Sequence, residues 1–241
     1  MTLETWQLMI SVGALLVALG VAVYSWRQAR LFSLLVLAWW AAAYALSVRG
    51  FFAGPTTFGD GHMLNFFVFG SLICAPLALF ALAYWRSAPF RTFVNDIPLA
   101  HLTGFEVYRV GGAVFFWLWA ASLVPAEMGF FTGAADVFIG LTALPLAWAL
   151  ARSSQAARAF ATGWHIFGIM DFALAVGFVS LAILGVITPQ PAPAMIGLHP
   201  LALISLFQMP LSIAVHGLAL RQLMAGRQSP AYPRPNATAR S

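Results

Sequence analysis

Six ionisable side chains lie inside long apolar runs of this 241-residue chain. Such groups are expensive in hydrocarbon, by about 2.5 to 3.5 kcal/mol each on insertion scales, so they normally face the interior of a helix bundle. In membrane proteins they often mark ion or substrate pathways. All six follow residue 100, and any chemistry is therefore expected in the C-terminal part of the chain. They are Glu106, Arg109, Asp136, His165, Asp171 and His216.

Glu106 and Arg109 are three residues apart, a spacing that brings two side chains together on one helix. We predict a salt bridge between them, because pairing lowers the energy of burying both charges. The alternative is that Arg109 faces a cytoplasmic cavity and binds an anionic ligand, while Glu106 orients the guanidinium.

Asp136 and Asp171 are the strongest candidates for functional residues, because the predicted pairing of Glu106 with Arg109 leaves them no cation other than a protonated histidine. Each carboxyl is then expected to be neutral, hydrogen-bonded or hydrated. Helix rise places Asp171 near the membrane centre and Asp136 in the outer half. Gly133, Gly140 and Gly168 share faces with them, so a neighbouring helix can approach closely. Such a carboxyl could carry protons or hold two helices together by a hydrogen bond.

His165 and His216 have similar calculated depths on consecutive spans and could ligate a haem iron or a metal. Their spacing does not require it, and two packed histidines with hydrogen-bonded neighbours are the alternative. Zinc would need further ligands, such as Glu106 or Asp171 on other spans. We predict no cofactor and keep haem or metal as an open alternative.

The last apolar run carries its polar side chains on one helical face, since Ser205, Gln208, Ser212 and His216 follow spacings of three and four. Pro210 lies within this run and frees a carbonyl about one turn earlier. A kink there could open the polar face to a ligand, or a neighbouring hydroxyl could satisfy the carbonyl.

These residues must be positioned by membrane-spanning helices, because the chain is 61% hydrophobic and 8% charged, with a mean hydropathy of +0.87. That composition excludes a soluble globular domain. A helix of about 20 apolar residues crosses a bilayer, and we predict an all-α bundle of seven spans, with six as the fallback. The runs are Trp6–Trp26, Leu31–Val48, Asn65–Trp85, Leu102–Leu123, Gly129–Leu150, Phe160–Ile187 and Pro200–Leu220.

Basic residues give the orientation, since cytoplasmic loops carry an excess of them. The chain has no lysine, and ten of its twelve arginines fall in alternate loops and the C-terminal tail. We therefore predict that the N terminus is outside and the C terminus cytoplasmic. The first run follows an acidic residue, Glu4, and no basic one, so we expect a retained helix, not a cleavable signal peptide. The ten are Arg27, Arg30, Arg86, Arg91, Arg152, Arg158, Arg221, Arg227, Arg234 and Arg240.

Residues 1–223 are predicted to form a single transmembrane domain, and the polar, proline-rich segment 224–241 a disordered cytoplasmic tail. The single cysteine, Cys74, excludes intrachain disulfides and thiolate zinc clusters. The scattered arginines argue against a nucleic-acid partner. We expect an integral protein of a bacterial cytoplasmic membrane, with lipid, a small solute and another membrane protein or a second copy as partners.

Three classes of function are compatible with these features. The first is a proton-linked small-solute transporter or permease, the second is a membrane-embedded haem- or metal-binding redox protein or enzyme using His165 and His216, and the third is a noncatalytic subunit or assembly factor. We favour the first, because six ionisable groups in four consecutive spans exceed what packing requires. No catalytic residue is predicted. The candidate coupling and ligand residues are Asp136, Asp171, Glu106, Arg109, Gln208, Ser212 and His216.

Overall fold

The computed structural model describes residues 3–52 and 63–226, which are helical and form no β-strand. The predicted all-α class is thus confirmed for these residues. Short 3₁₀ segments cover Glu106–Ala113 and Pro193–Gly197, and π-helical segments cover Glu127–Thr132 and Ile204–Gln208. The α-helices are α1 (Leu3–Ser25), α2 (Arg30–Val48), α3 (Met63–Arg86), α4 (Ala88–Asp96), α5 (Leu99–Phe105), α6 (Val114–Ala120), α7 (Gly133–Ala151), α8 (Gln155–Ile183), α9 (Leu201–Leu203) and α10 (Met209–Met224).

Six helices within residues 3–52 and 63–226 are long and apolar enough to cross a membrane. This number and length are typical of an integral membrane protein. Beyond residue 226 the predicted disordered tail lies outside the described residues. The six helices are Glu4–Ser25, Arg30–Val48, Phe67–Arg86, Glu127–Ala151, Gln155–Ile183 and Leu201–Met224.

The fourth predicted run, Leu102–Leu123, is not one continuous α-helix. It consists of α5, the 3₁₀ segment Glu106–Ala113 and α6. Eight residues are unusual for 3₁₀ geometry, which rarely exceeds four. Gly111 and Gly112 weaken the α-helix here, since glycine is a poor helix former. At Gly112 a Cβ would also collide with the Asp136 side chain, so this tight segment can lie directly against α7.

Serine and glycine residues set several helix ends. Ser87 and Ser154 cap α4 and α8 by accepting the backbone N–H three residues later. Gly185, with φ of +69°, follows the end of α8 in the left-handed conformation that favours glycine. The Ser154 cap explains why α8 begins at Gln155 and not at the predicted Phe160.

Helix α7 lies at the centre of the part of the bundle that carries the ionisable residues. It packs against α5, the 3₁₀ segment Glu106–Ala113 and α8, and its Ile139 and Ala143 have no exposed surface. Helix α10 closes this group by packing on α8 and α5. By contrast, none of the apolar window of α3 is buried, so α3 lies at the periphery. The six ionisable groups therefore lie on α7 itself or on the elements grouped around it.

Candidate functional site

A buried arginine joins three elements of the bundle. Arg109 lies in the 3₁₀ segment, and its side chain is 1% exposed. Its Nε donates a hydrogen bond to Asp136 Oδ1 of α7 at 2.6 Å, and its Nη2 donates to Asp171 Oδ2 of α8 at 2.5 Å. The guanidinium also lies 4.2 Å from the centre of the Phe172 ring. The charge of Arg109 is thus shared by two carboxylates on two helices.

The predicted salt bridge between Glu106 and Arg109 is wrong. In the described part of the chain, the ion pairs of Arg109 are those with Asp136 and Asp171. Glu106 instead accepts a hydrogen bond from Ser212 Oγ of α10 at 2.5 Å. Glu106 and Arg109 therefore bind residues on other helices and do not bind each other.

The prediction that Asp136 and Asp171 have no cation other than a protonated histidine is also wrong. It assumed that Arg109 is occupied by Glu106. The long side chain of Arg109 instead reaches both aspartates. The two carboxylates of Asp136 and Asp171 consequently share one cation instead of being left without one.

Glu106 forms the second side of the cluster and is completely buried. His216 Nε2 lies 3.6 Å from the Glu106 Oε2 that binds Ser212. The other oxygen, Oε1, is buried and has no hydrogen-bond partner among the residues that the structure describes. A buried carboxylate oxygen without a partner is costly, so this atom is a suitable position for a proton. We call Glu106, Arg109, Asp136, Asp171 and His216 the Arg109 cluster.

The two histidines contact each other directly. His216 Nδ1 lies 2.7 Å from His165 Nδ1, and His216 Nε2 lies 3.3 Å from Arg109 Nη1. His165 Nε2 lies 3.2 Å from Thr103 Oγ1 of α5. Trp164 packs edge-on against both rings and holds them in place. Thr103 was not predicted, although a hydroxyl three residues before Glu106 in an apolar run is the signal that could have found it.

This arrangement does not fit a metal ion held between the histidines. A tetrahedral zinc ion with nitrogen ligands at about 2.0 to 2.1 Å separates those nitrogens by about 3.3 Å, so the nitrogen-to-nitrogen contact of 2.7 Å is too short for both to be ligands. Within the described ranges, no group of three or more histidine, cysteine, aspartate or glutamate side chains is placed to bind a metal. The contacts of His165 and His216 are those of hydrogen-bonded side chains.

The close helix approaches predicted at the glycines are confirmed. A Cβ at Gly140 would collide with the backbone nitrogen of Val110 in the 3₁₀ segment, and one at Gly168 would collide with the His216 ring. At Gly133 a Cβ would lie 3.2 Å from the Phe115 Cβ, which is tight. These glycines allow the elements that carry the cluster to lie in direct contact.

A cavity of about 100 Å³ opens on one side of the Arg109 cluster. Its polar lining includes Arg109, Asp136 and Gln208, which is half-buried. The Tyr108 hydroxyl donates to the Gln208 carbonyl at 3.3 Å. The predicted polar face of the last span is thus divided: His216 belongs to the cluster, Ser212 binds Glu106 of the cluster, and Gln208 lines the cavity. The apolar wall includes Met9, Ile10, Phe172 and Ile204.

The carbonyl freed by Pro210 has an indole partner in place of the predicted hydroxyl. In an α-helix Leu206 O would accept from residue 210, but proline has no N–H. Trp39 Nε1 of α2 donates to Leu206 O at 2.9 Å. Trp39 thereby stabilises the π-helical segment that precedes α10.

Replacing Trp39 with phenylalanine is expected to destabilise the protein by about 1–3 kcal/mol, because it leaves the Leu206 carbonyl without this donor. The thermal unfolding midpoint in detergent measures the effect. Trp40→Phe is the matched control, since the Trp40 indole nitrogen is buried with no hydrogen-bond partner among the described residues. Equal shifts for both variants would contradict the role given to Trp39.

Residues 65–224 match a family model described as a domain of unknown function, DUF8737. The matched segment is more than half of the chain. The chain belongs to this family. All residues of the Arg109 cluster, together with Thr103 and His165, lie within the segment that the family model covers. No curated protein and no solved structure matched the chain.

Proposed function

We propose that the protein is a proton-linked transporter of a small solute, with the Arg109 cluster as its coupling site and the adjoining cavity as its solute site. The observation that carries this proposal is one buried guanidinium shared by Asp136 and Asp171 beside a cavity. Intramembrane charges of this kind commonly serve ion and proton pathways.

The charge balance of the cluster supports proton coupling. The cluster contains three carboxyl groups and one guanidinium, so full ionisation with neutral histidines leaves an excess of negative charge in a low-dielectric interior. A proton on Asp171 reduces that excess and leaves Arg109 paired with Asp136. It also releases Nη2 of Arg109 from its ionic partner. Proton binding therefore changes the number of strong partners available to the guanidinium.

The cavity supports a small amphipathic solute. Its wall is largely apolar, and its polar lining includes Arg109, Asp136 and Gln208. An anionic group on the solute could replace one carboxylate partner of Arg109, since a guanidinium binds carboxylates through directed N–H donors. Proton uptake and solute binding would then act on the same arginine, which is the requirement for coupling.

The topology that we propose has seven crossings, with α5, the 3₁₀ segment and α6 forming the fourth. By their helical rises these three pieces are together about 37 Å long, enough for a hydrocarbon core of about 30 Å. The arginine distribution supports a cytoplasmic C terminus, and we propose a bacterial cytoplasmic membrane. Interrupted helices that carry a site near the membrane centre are common in transporters.

Asp171→Asn is expected to abolish proton coupling without unfolding the protein. The amide oxygen can still accept from Arg109, and Asp136 still neutralises the guanidinium. Proteoliposomes adsorbed on a solid-supported membrane are exposed to a pH jump, and the wild type should give a transient current from proton uptake by the cluster. The variant should lose this current while its amount of folded protein stays unchanged.

The solute is sought with the same sample by adding alanine, succinate or glucose at constant pH. The expected result is a current or an internal pH change with one solute, lost in Asp171→Asn. A wild type without a pH-jump current contradicts proton coupling and favours a cluster that only stabilises helix packing. Loss of folded protein in Asp171→Asn would likewise favour a cluster that only stabilises helix packing. A copurifying membrane protein would then support the alternative that the chain is a noncatalytic subunit.

A further inference from the structure

We infer that the solute is a monocarboxylic acid with an alkyl chain, which enters the cavity sideways from the acyl region of the outer half of the membrane. This inference deepens the proposed function and rests on it, because it names the class of solute for the same site. Three features carry it: the position of the cavity opening, the depth of that opening in the bilayer, and the carboxylate that lies inside the cavity.

The cavity opens between α1 and the 3₁₀ segment Glu106–Ala113. Met9 and Gly13 of α1 line one side, and Gly111 of the 3₁₀ segment lines the other. Met9 is 54% exposed and Gly111 is also exposed, so the lining reaches the outer surface of the bundle. Asp136, which is buried, lies at the inner end. The cavity therefore runs from the surface that faces lipid to the Arg109 cluster.

Two glycines leave this opening unobstructed. A Cβ at Gly13 or at Gly111 would have no described atom within 4 Å, whereas a Cβ at Gly112 would collide with the Asp136 side chain. A larger side chain at Gly13 or Gly111 would therefore extend into the space between α1 and the 3₁₀ segment. With glycine at both positions, that space can admit an alkyl chain.

The opening lies at the depth of the lipid acyl chains. In the proposed topology, α1 begins and α6 ends at the outer side of the membrane. Helical rise places Met9 and Gly13 about 8 and 14 Å from Glu4, where the apolar span of α1 begins. It places Gly111 about 15 Å from Ala120, the last residue of α6. Both estimates fall in the outer half of a hydrocarbon core about 30 Å thick, so a solute reaches this opening through the bilayer.

This route favours a solute that dissolves in lipid. A strongly hydrated molecule such as glucose would have to lose its water in the acyl region before it reached the opening, which is unfavourable. The cavity, of about 100 Å³, is smaller than the roughly 300–1,000 Å³ of pockets that enclose a drug-sized ligand. The head group would therefore bind inside while the chain extends into the lipid. The apolar wall that the first carbons would meet includes Met9, Ile10, Phe172, Ile204 and Met209.

Asp136 determines which head group fits. Its Oδ1 accepts from Arg109 Nε, and its Oδ2 lies beside Gly112 on the cavity lining, without a hydrogen-bond donor among the described residues. Oδ2 can accept from the O–H of a carboxylic acid. Gln208 lines the same cavity, and its amide can donate to the carbonyl oxygen of the acid. A carboxylic acid thus offers one donor and one acceptor where the lining offers one of each.

The charge of the cluster requires the solute to bring a proton. When Glu106, Asp136 and Asp171 are ionised they outnumber the single guanidinium, so an added anion would increase the excess of negative charge. The neutral acid, which is also the form that dissolves in lipid, adds none. Its proton then lies between the solute oxygen and Asp136 Oδ2, and the total charge is the same on either oxygen. Each solute molecule therefore enters with one proton.

Photolabelling in liposomes tests the site without transport. Decanoic acid with a diazirine in the middle of its chain should label Met9 and the 3₁₀ segment after illumination, as read by mass spectrometry of the peptides. Excess decanoic acid should abolish this labelling. Acetate has the same head without the chain, decylamine has the same chain with a cationic head, and both should leave the labelling unchanged. Equal competition by acetate or decylamine, or labelling that decanoic acid does not remove, overturns the inference.

Variants test the opening and the head group separately. Gly13→Leu should weaken decanoic acid binding about tenfold or more, because the leucine side chain occupies the opening. Gly20→Leu is the matched control, since Gly20 lies on the same helix with no described atom within 4 Å of its Cβ position and is not on the cavity lining. Asp136→Asn should weaken binding about tenfold, because an amide N–H₂ cannot accept from the acid. Equal binding by Gly13→Leu and Gly20→Leu overturns the inference.

The results separate this inference from the proposed function. A wild-type pH-jump current without labelling that decanoic acid removes overturns the lipid-borne acid and leaves proton coupling in place. Labelling that decanoic acid removes, without a pH-jump current, overturns proton coupling and leaves the acid-binding site. A pH-jump current together with head-specific labelling that Gly13→Leu abolishes supports both.

Discussion

Replacing Arg109 with methionine is expected to destabilise the protein by about 3–5 kcal/mol, the largest effect of any single substitution in the cluster. The substitution leaves Asp136 and Asp171 buried without their shared cation. Removing one partner of a buried ion pair is more damaging than replacing the whole pair by apolar groups. The thermal unfolding midpoint in detergent and the yield of folded protein measure the loss.

Two further variants separate charge from packing. The triple variant Arg109→Met, Asp136→Asn, Asp171→Asn should recover a substantial part of the lost stability, because no unpaired charge remains. Arg152→Met is the matched control, since Arg152 is exposed at the end of α7 and stacks on Trp148. It should change stability by less than about 0.5 kcal/mol. An Arg109→Met protein as stable as the Arg152→Met protein would show that the cluster does not hold the bundle together.

Gly140→Ala is expected to destabilise the protein by about 3 kcal/mol, the upper end of the range for overpacked positions. The added methyl group would collide with the backbone nitrogen of Val110, which no rotamer change can move. The 3₁₀ segment must then shift away from α7. Arg109 precedes Val110, so its distance to Asp136 should increase, and the pH-jump current should fall together with the unfolding midpoint.

The control for this prediction is another glycine-to-alanine change within a long helix. Gly163 in α8 has no atom within 4 Å of the position that a Cβ would occupy. Gly163→Ala should be neutral or stabilise α8 by about 0.5–1 kcal/mol, because alanine is the better helix former. Equal destabilisation by Gly140→Ala and Gly163→Ala would contradict the close contact between α7 and the 3₁₀ segment.

The helical fold and the membrane-spanning character of the chain could be predicted from the sequence, because both depend on the hydrophobicity of consecutive residues and not on their tertiary contacts. A run of about 20 apolar residues spans a bilayer whatever surrounds it. The predicted first, second, third, fifth and last runs accordingly overlap helices of the structure closely. The choice of Glu106, Arg109, Asp136, His165, Asp171 and His216 as the interior set rests on the same local reasoning about the energy of burying charge.

The pairing of those residues could not be predicted, because it depends on the path of one backbone segment. The sequence predicts Glu106 with Arg109 from a spacing of three, whereas the structure joins Arg109 to Asp136 and Asp171. The difference lies in the close approach of α7 to the segment Glu106–Ala113, where Gly112 lies against Asp136 and Val110 against Gly140. These contacts exist only in the folded bundle.

The amino-acid sequence by itself thus determined the helical class, the membrane environment and the six residues that must avoid lipid. The tertiary structure decided which charged side chains pair, that His165 and His216 bind each other, and that Thr103 binds His165. The physical reason is that the energy of burying a charge belongs to the residue, whereas the energy recovered by pairing depends on distances of a few ångströms between helices.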